Sequence, residues 1–323
     1  MKAIVRDAYG SPDVLELREI DIPEIADDEV LVHVHAAGVG RDVWHVMRGL
    51  PYPIRLAGYG FRAPKNPVIG SDVAGVVEAV GNKVSRFRPG DEVFGIGKGS
   101  YAEYVCARED KLAPKPTNLT FEQAAVVAIM GSTALQALRD HGKVRQGQEV
   151  LIIGASGGVG TYAVQIAKAF GAHVSGVCST QKVEMVRSIG ADHVIDYTQG
   201  DFAEGDQRYD VILDIGGNST LTRLRRALAQ RGTLVIVGGE GGGRWLGGTD
   251  RQLRAMMLSP FVSQKLGTFV NKENYEDLIV LKELIESGKI TPVIDRIYPL
   301  SEVPEAMRYL EAGHARGKVV ITV

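Results

Sequence analysis

LIIGASGGVGTYA, residues 151–163, sets an apolar run directly against a string of small residues and then a helical pattern. The run is the end of EVLII (149–153), which reads as a strand. After it, Ala155-x-Gly157-x-x-Gly160 leads into a segment with apolar residues at Ala163, Ile166, Ala167 and Phe170, one face of an amphipathic helix. Small residues between a strand and a helix permit a tight turn and let the backbone approach a pyrophosphate. They also let the helix pack on its strand while its N-terminal amides face the anion. Ala155 stands where the usual fingerprint has its first glycine, and Ser156, Gly157, Gly158, Val159 and Gly160 are the phosphate-side candidates. A lone glycine motif carries little weight, because turns need glycine for steric reasons alone, so the neighbouring sequence has to support it.

It does. From Glu149 onward the apolar runs EVLII, HVSGVC, HVID, DVILD, TLVIV and GTFV alternate with helical segments. That alternation predicts parallel strands joined by right-handed crossovers, an α/β doubly wound sheet. A site for NAD usually offers Asp or Glu at the end of the second strand, to accept from the ribose 2′-hydroxyl. Here HVSGVC is followed by Ser179, Thr180, Gln181 and Lys182, two hydroxyls and an ammonium suited to a 2′-phosphate. NADP(H) is therefore expected in preference to NAD(H). The plainer role for Ser179 is to cap the helix QKVEMVRSIG, with Lys182 solvated, and both roles can coexist.

The flanking sequence has a different rhythm. Before residue 124, short segments such as EVLVHVHAAGV, DVAGVVEAV and SYAEYVCA are separated by turns like RPGD, as in a mostly antiparallel, barrel-like β domain. The tail from 271 has the helix EDLIVLKELIES and then the extended pieces IDRIYPL and GKVVITV, which need a sheet to join. We expect a β-rich domain over 1–124, a nucleotide domain over 125–270, and a return to the first domain over 271–323. The cleft between domains is the expected active site.

With 323 residues, 45% hydrophobic and 24% charged, the chain has enough apolar material for two cores. A formal charge of −2 provides no broad cationic field for nucleic acid or an anionic membrane. The basic run RLRRALAQR reads as the solvated face of a surface helix, with Leu224 and Leu228 turned inward. The longest apolar run, AAVVAIM (124–130), is too short to cross a bilayer, and MKAIVRDAYG lacks a secretory core, so a cytoplasmic protein is expected. The two cysteines, Cys106 and Cys178, form no paired motif and read as buried thiols.

GASGGVGTYAVQIAKAFGA, PVIGSDVAGVVEAVG, RPGDEVFG and HARGKVVI together resemble the medium-chain dehydrogenase/reductase superfamily, over essentially the whole chain. Within it the sequence is most similar to the zinc-independent quinone oxidoreductase and enone reductase branch, often labelled alcohol dehydrogenase-like. The resemblance implies a GroES-like catalytic domain, a Rossmann domain, a homodimer, and hydride transfer from NADPH to a small-molecule quinone or α,β-unsaturated carbonyl. Zinc-dependent members carry cysteine and histidine ligands in segments resembling GVGRDVWH and PVIGSDVAG, where this chain has Gly40 and Ser71. No metal is expected. His33 and His35, two apart on a strand, read as solvated or hydrogen-bonded. The branch often places an asparagine where Gly40 stands, so quinone specificity does not carry over directly.

The resemblance also puts Thr133 of GSTALQAL near the nicotinamide ribose, Val237 and Gly239 of VGGEGG against the carboxamide, Lys318 near the cofactor, and Tyr197 near the 2′-phosphate. A conjugated acceptor needs a donor to the oxygen that gathers charge. His45, Tyr52 and Tyr59 in WHVMRGLPYPIRLAGYG are the available donors, with Thr133 a further catalytic candidate. Trp44 is either a core anchor or a stacking platform. GGEGGGRWLGG (238–248) reads as an irregular substrate loop whose Trp245 either covers the acceptor or tucks inward. An alcohol or aldehyde dehydrogenase of the same superfamily and a non-catalytic NADPH-binding redox sensor remain open alternatives.

Overall fold

A computed structural model describes residues 1–217, 219–238 and 243–323. The chain divides into two units, Met1–Ser132 with Lys272–Val323, and Thr133–Asn271.

The first unit is β-rich. A seven-stranded sheet runs in the order Ile294–Pro299, Lys318–Thr322, Glu29–Val39, Asp72–Val80, Glu92–Ile96, Leu112–Pro114, with Tyr104–Arg108 also paired to Glu29–Val39. All pairs are antiparallel except Ile294–Pro299 beside Lys318–Thr322. Lys2–Val5 and Glu16–Glu19 make a separate hairpin. The long strand Glu29–Val39 shows why this segment is extended: Val30, Val32 and Val34 face the core with Val73, Val77 and Val93. Alternation sends His33 and His35 outward. There His33 stacks on its cross-strand partner Tyr104 at 4.9 Å and His35 on Phe121 at 4.3 Å, so aromatic neighbours flank both rings.

The second unit is a six-stranded parallel sheet ordered His193–Asp196, His173–Cys178, Glu149–Ile153, Tyr209–Asp214, Leu228–Ile236, Lys265–Thr268. Numbered along the chain this is the order 3-2-1-4-5-6, and the strand order reverses between Glu149–Ile153 and Tyr209–Asp214. Leu151, Ile153, Val177, Ile212, Leu234 and Ile236 face Leu224, Ala255 and Leu266 in one core.

Two local readings change. RLRRALAQR is not one helix: the helix Leu221–Ala227 stops, and Leu228 begins the next strand. The Gln264 side-chain amide donates to the carbonyls of Arg225, Leu228 and Ala229, satisfying the helix end from 35 or more residues away. The edge strand falls on Lys265–Thr268 rather than on GTFV, and Phe269 leaves it to stack on His141 at 4.4 Å.

Candidate functional site

At the switch point the strand Glu149–Ile153 ends and the twelve-residue helix Gly158–Ala169 begins. The turn glycine is Gly154, whose φ of +89° is forbidding to side chains, and this corrects the assignment of that role to Ala155. Ala155 is buried, and its Cβ would lie 3.0 Å from a Cβ built on Gly176 of the next strand. A Cβ at Gly160 would fall 2.1 Å from the Gly154 carbonyl oxygen, so helix and loop can meet only through glycine. Gly157 differs: its Cβ would meet nothing nearer than the same oxygen at 3.5 Å. No side chain caps the helix start. The motif is therefore Gly154-x-x-Gly157-x-x-Gly160, with open space at Gly157 and, among the described residues, no partner for the amides of Ser156, Gly158 and Val159. Those features fit a dinucleotide pyrophosphate.

Beyond His173–Cys178, residues Thr180–Lys182 form a 3-10 turn, and Ser179 makes no capping bond, which removes its plainer role. The Thr180 hydroxyl lies 2.9 Å from that of Thr198. Sequence reasoning missed Asp196, which ends the adjoining strand in register with Cys178. Its carboxylate is occupied: it accepts from the Thr198 amide at 3.0 Å, the Thr198 hydroxyl at 2.8 Å and Gln199 at 3.0 Å, and bonding led by Thr180 keeps its pKa low. Tyr197 follows it, 61% exposed.

On the other side of the switch point, the buried Asp214 carboxylate pairs with Arg251 of the helix Thr249–Leu258. Arg251 also donates to Ser219 O at 2.8 Å and Gly238 O at 3.0 Å, while the Val237 amide donates to Asp214 O at 3.0 Å. Asp214 thus binds together the loops that follow two strands. Burial raises its pKa, and Arg251 works against that shift. Gly239 lies outside the described residues. Trp245 sits on the short helix Gly243–Leu246, not in irregular chain, and is 73% exposed.

The first unit holds a cavity of about 680 Å³ whose wall includes Arg6, Val43, Val46, Tyr59, Ile69 and Ser71. Of the expected acceptor-facing residues, only Tyr59 lines it. Burial, its largest influence, raises the Tyr59 pKa, so the phenol stays protonated at neutral pH. Three of the others, His45, Tyr52 and Trp44, make contacts of their own within the first unit. His45 Nδ1 lies 2.8 Å from Leu50 O, and Tyr52 lies beneath the Arg55 guanidinium. Trp44 packs on the core beside Met47 and Val303, and its Nε1 donates to Glu311 at 2.7 Å. Thr133, half-buried, lies in the helix Ala128–Gln136 beside Ser132, a missed residue whose hydroxyl is buried without a partner among the described residues.

Lys318 is buried. It is 2% exposed, and its Nζ donates to Val39 O at 3.2 Å and Asp72 at 3.5 Å inside the first unit. Asp72 also accepts from the Ile129 amide at 2.9 Å. Burial pushes the Asp72 pKa up to about 6, against the pull of Lys318.

Fold and cradle together define a dinucleotide-dependent oxidoreductase with a GroES-like unit. Residues 26–117 match the family model for the alcohol dehydrogenase GroES-like domain, and residues 189–321 the model for zinc-binding dehydrogenases. The mitochondrial NAD(P)H oxidoreductase RTN4IP1 of Mus musculus is 37% identical, with 100% of this chain and 89% of that protein covered. The chloroplastic NADPH-dependent alkenal/one oxidoreductase of Arabidopsis thaliana is 36% identical, over 99% of this chain and 79% of that protein. The solved quinone oxidoreductase of Coxiella burnetii superposes with a TM-score of 0.88 at 32% identity, covering 100% of this chain and 99% of that one. The chain belongs to the medium-chain dehydrogenase/reductase superfamily, in its zinc-independent quinone oxidoreductase and enone reductase branch.

The zinc in one family description does not fit these residues. Gly40 has no side chain to offer, Ser71 is a poor ligand, and among the described residues no three His, Cys, Asp or Glu side chains converge to hold a metal. The mouse relative is mitochondrial by name, which overturns the expectation of a cytoplasmic protein. Among the described residues no helix is long and apolar enough to cross a membrane.

Proposed function

We propose that the protein reduces a quinone or α,β-unsaturated carbonyl with NADPH. The observation that carries this is the uncapped helix Gly158–Ala169, opening on Gly154, Gly157 and Gly160 where the strand order reverses. When bound, the reduced nicotinamide supplies hydride. The amides of Ser156, Gly158, Val159 and Gly160 hold the pyrophosphate beside Gly157; Ser179, Lys182 and Tyr197 receive the 2′-phosphate, and Thr133 and Val237 orient the nicotinamide end. The Asp214–Arg251 pair keeps the Val237 loop in one conformation. In this reading residues 125–270 serve the cofactor, while 1–124 with 271–323 receive the acceptor. Tyr59 is the donor to the acceptor oxygen: its phenol is protonated, lines the cavity, and donates as negative charge gathers there.

Steady-state NADPH and NADH consumption against quinones, enones, saturated aldehydes and alcohols is the test. Turnover of conjugated acceptors with NADPH is expected. Preference for saturated substrates would favour the alcohol dehydrogenase reading, and tight NADPH binding without turnover would favour a sensor.

The protein also forms a homodimer in this reading. Lys265–Thr268 is an unpaired sheet edge, and Leu253, Met256, Met257, Phe261 and Val270 of the same unit are exposed. Sedimentation should give a dimer that Phe261→Asp weakens; a monomer in both proteins removes this part.

A further inference from the structure

Arg6 follows the first strand, Lys2–Val5, and its amide donates to Pro67 O at 3.0 Å. Its side chain is 2% exposed, yet it forms part of the wall of the 680 Å³ cavity. The guanidinium donates through one terminal nitrogen to Val46 O, and its Nε is buried with no partner. It sits over the Tyr9 ring at 5.2 Å, and Arg55 sits over the same ring at 4.5 Å. No carboxylate among the described residues pairs with Arg6. Burial lowers its pKa to about 10, which leaves it charged at neutral pH.

A buried charge without a counter-ion is costly, since buried ions are ordinarily paired. The cavity lining carries further charges, with Glu29 and Glu273 its carboxylates among the described residues. Lys65 and Lys98 also line the cavity and are exposed, whereas Lys111 and Arg108 are already paired with Glu273 and Asp110. Val43, Val46, Ile69 and Ile96 add apolar wall to the same cavity. A cavity of this volume admits a molecule of drug size, with an apolar body and a few fixed polar contacts.

We propose that Arg6 anchors a carboxylate carried by the acceptor, so that the preferred substrates are enones with an apolar stem ending in an acid. This rests on the reductase reading above and specifies its substrate class. A planar guanidinium matches a carboxylate through two parallel N–H bonds. With one terminal nitrogen bonded to Val46, Nε is the donor that the fold leaves unpaired among the described residues.

The test is a matched pair, a medium-chain enone with a terminal carboxylate and its methyl ester, assayed with NADPH. Wild type should favour the acid in kcat/KM by about ten-fold or more, and Arg6→Met should bring the ratio close to one, with Arg6→Lys between. A second arm needs neither turnover nor a variant: calorimetry of the wild-type NADPH complex with the saturated keto acid and with its methyl ester. The acid should bind about ten-fold more tightly. Equal binding, a preference for the ester, or an acid preference that survives in Arg6→Met would overturn the proposal. If Arg6 only supports the fold, the variant lowers the melting temperature and leaves the ratio unchanged. Failure of both enones to react while the keto acid still binds more tightly would sink the reductase reading and leave the carboxylate site standing.

Discussion

In the nucleotide unit the anion site is made of backbone. Gly154, Gly157 and Gly160 bring one loop and one helix start together, and the amides do the binding. In the first unit the cavity is made of side chains drawn from residues 6, 43, 46, 59, 69 and 96, on five separate stretches of chain. A backbone site tolerates almost no added atoms but hardly depends on which polar side chains surround it. A side-chain site is the reverse, and specificity is free to change there while the fold stays constant.

The sharpest way to break this contrast is Gly160→Ala. The new Cβ would lie 2.1 Å from Gly154 O and 2.8 Å from Ala155, both backbone, so loop and helix must separate. NADPH affinity should fall by about 100-fold or more, with stability reduced by about 3 kcal/mol. Gly157→Ala is the control, since its φ of −87° suits alanine and its nearest neighbour is 3.5 Å away. The melting temperature should hold while affinity drops, because the methyl group occupies space meant for phosphate. Equal loss of stability in both variants would refute the division of labour.

Asp72→Asn tests the buried pair of the first unit. It leaves Lys318 without a counter-charge, at a cost of about 3 kcal/mol read by denaturant unfolding. The pH dependence has a definite sign. The folded pKa of about 6 lies above the ordinary 3.8, so the native state holds the proton more tightly than the unfolded chain. The stability tied to protonated Asp72 is fully present below about pH 4 and is lost as pH rises through about 6. Asn should flatten that slope; an unaltered slope would mean another group titrates there.

Tyr59→Phe removes the hydroxyl and keeps the ring. Turnover with enones should fall by about ten-fold, with little change in NADPH affinity. Unchanged turnover would make solvent the proton source.

The cradle was legible because its determinants are contiguous: strand, small residues and helix follow within about twenty positions, and local pattern reads local structure. Even there the register slipped by one residue, since the sign of φ at Gly154 leaves no mark in a run of small residues. The cavity was not legible. Arg6 and Val46 are forty positions apart, Asp196 becomes relevant only through strand pairing, and the break after Ala227 depends on Gln264. His45 and Tyr52 are candidates by residue type, and type does not reveal their contacts with Leu50 and Arg55.

Trp44 gives the smallest expected effect and separates packing from chemistry within a single helix. It lies on Arg41–Arg48 between Val43, which lines the cavity, and Met47, which is fully buried. Its indole donates to Glu311, which also accepts from Arg48, so the side chain joins this helix to Val303–Glu311. Trp44→Phe keeps most of the apolar contact and deletes one hydrogen bond, a loss of about 1 kcal/mol. Kinetic constants should stay within about two-fold of wild type, because the removed group bonds Glu311 and is not part of the cavity wall. A loss of turnover comparable to that of Tyr59→Phe would instead make the helix a lever on the cavity, coupling its packed face to its reactive one through Val43 and Val46.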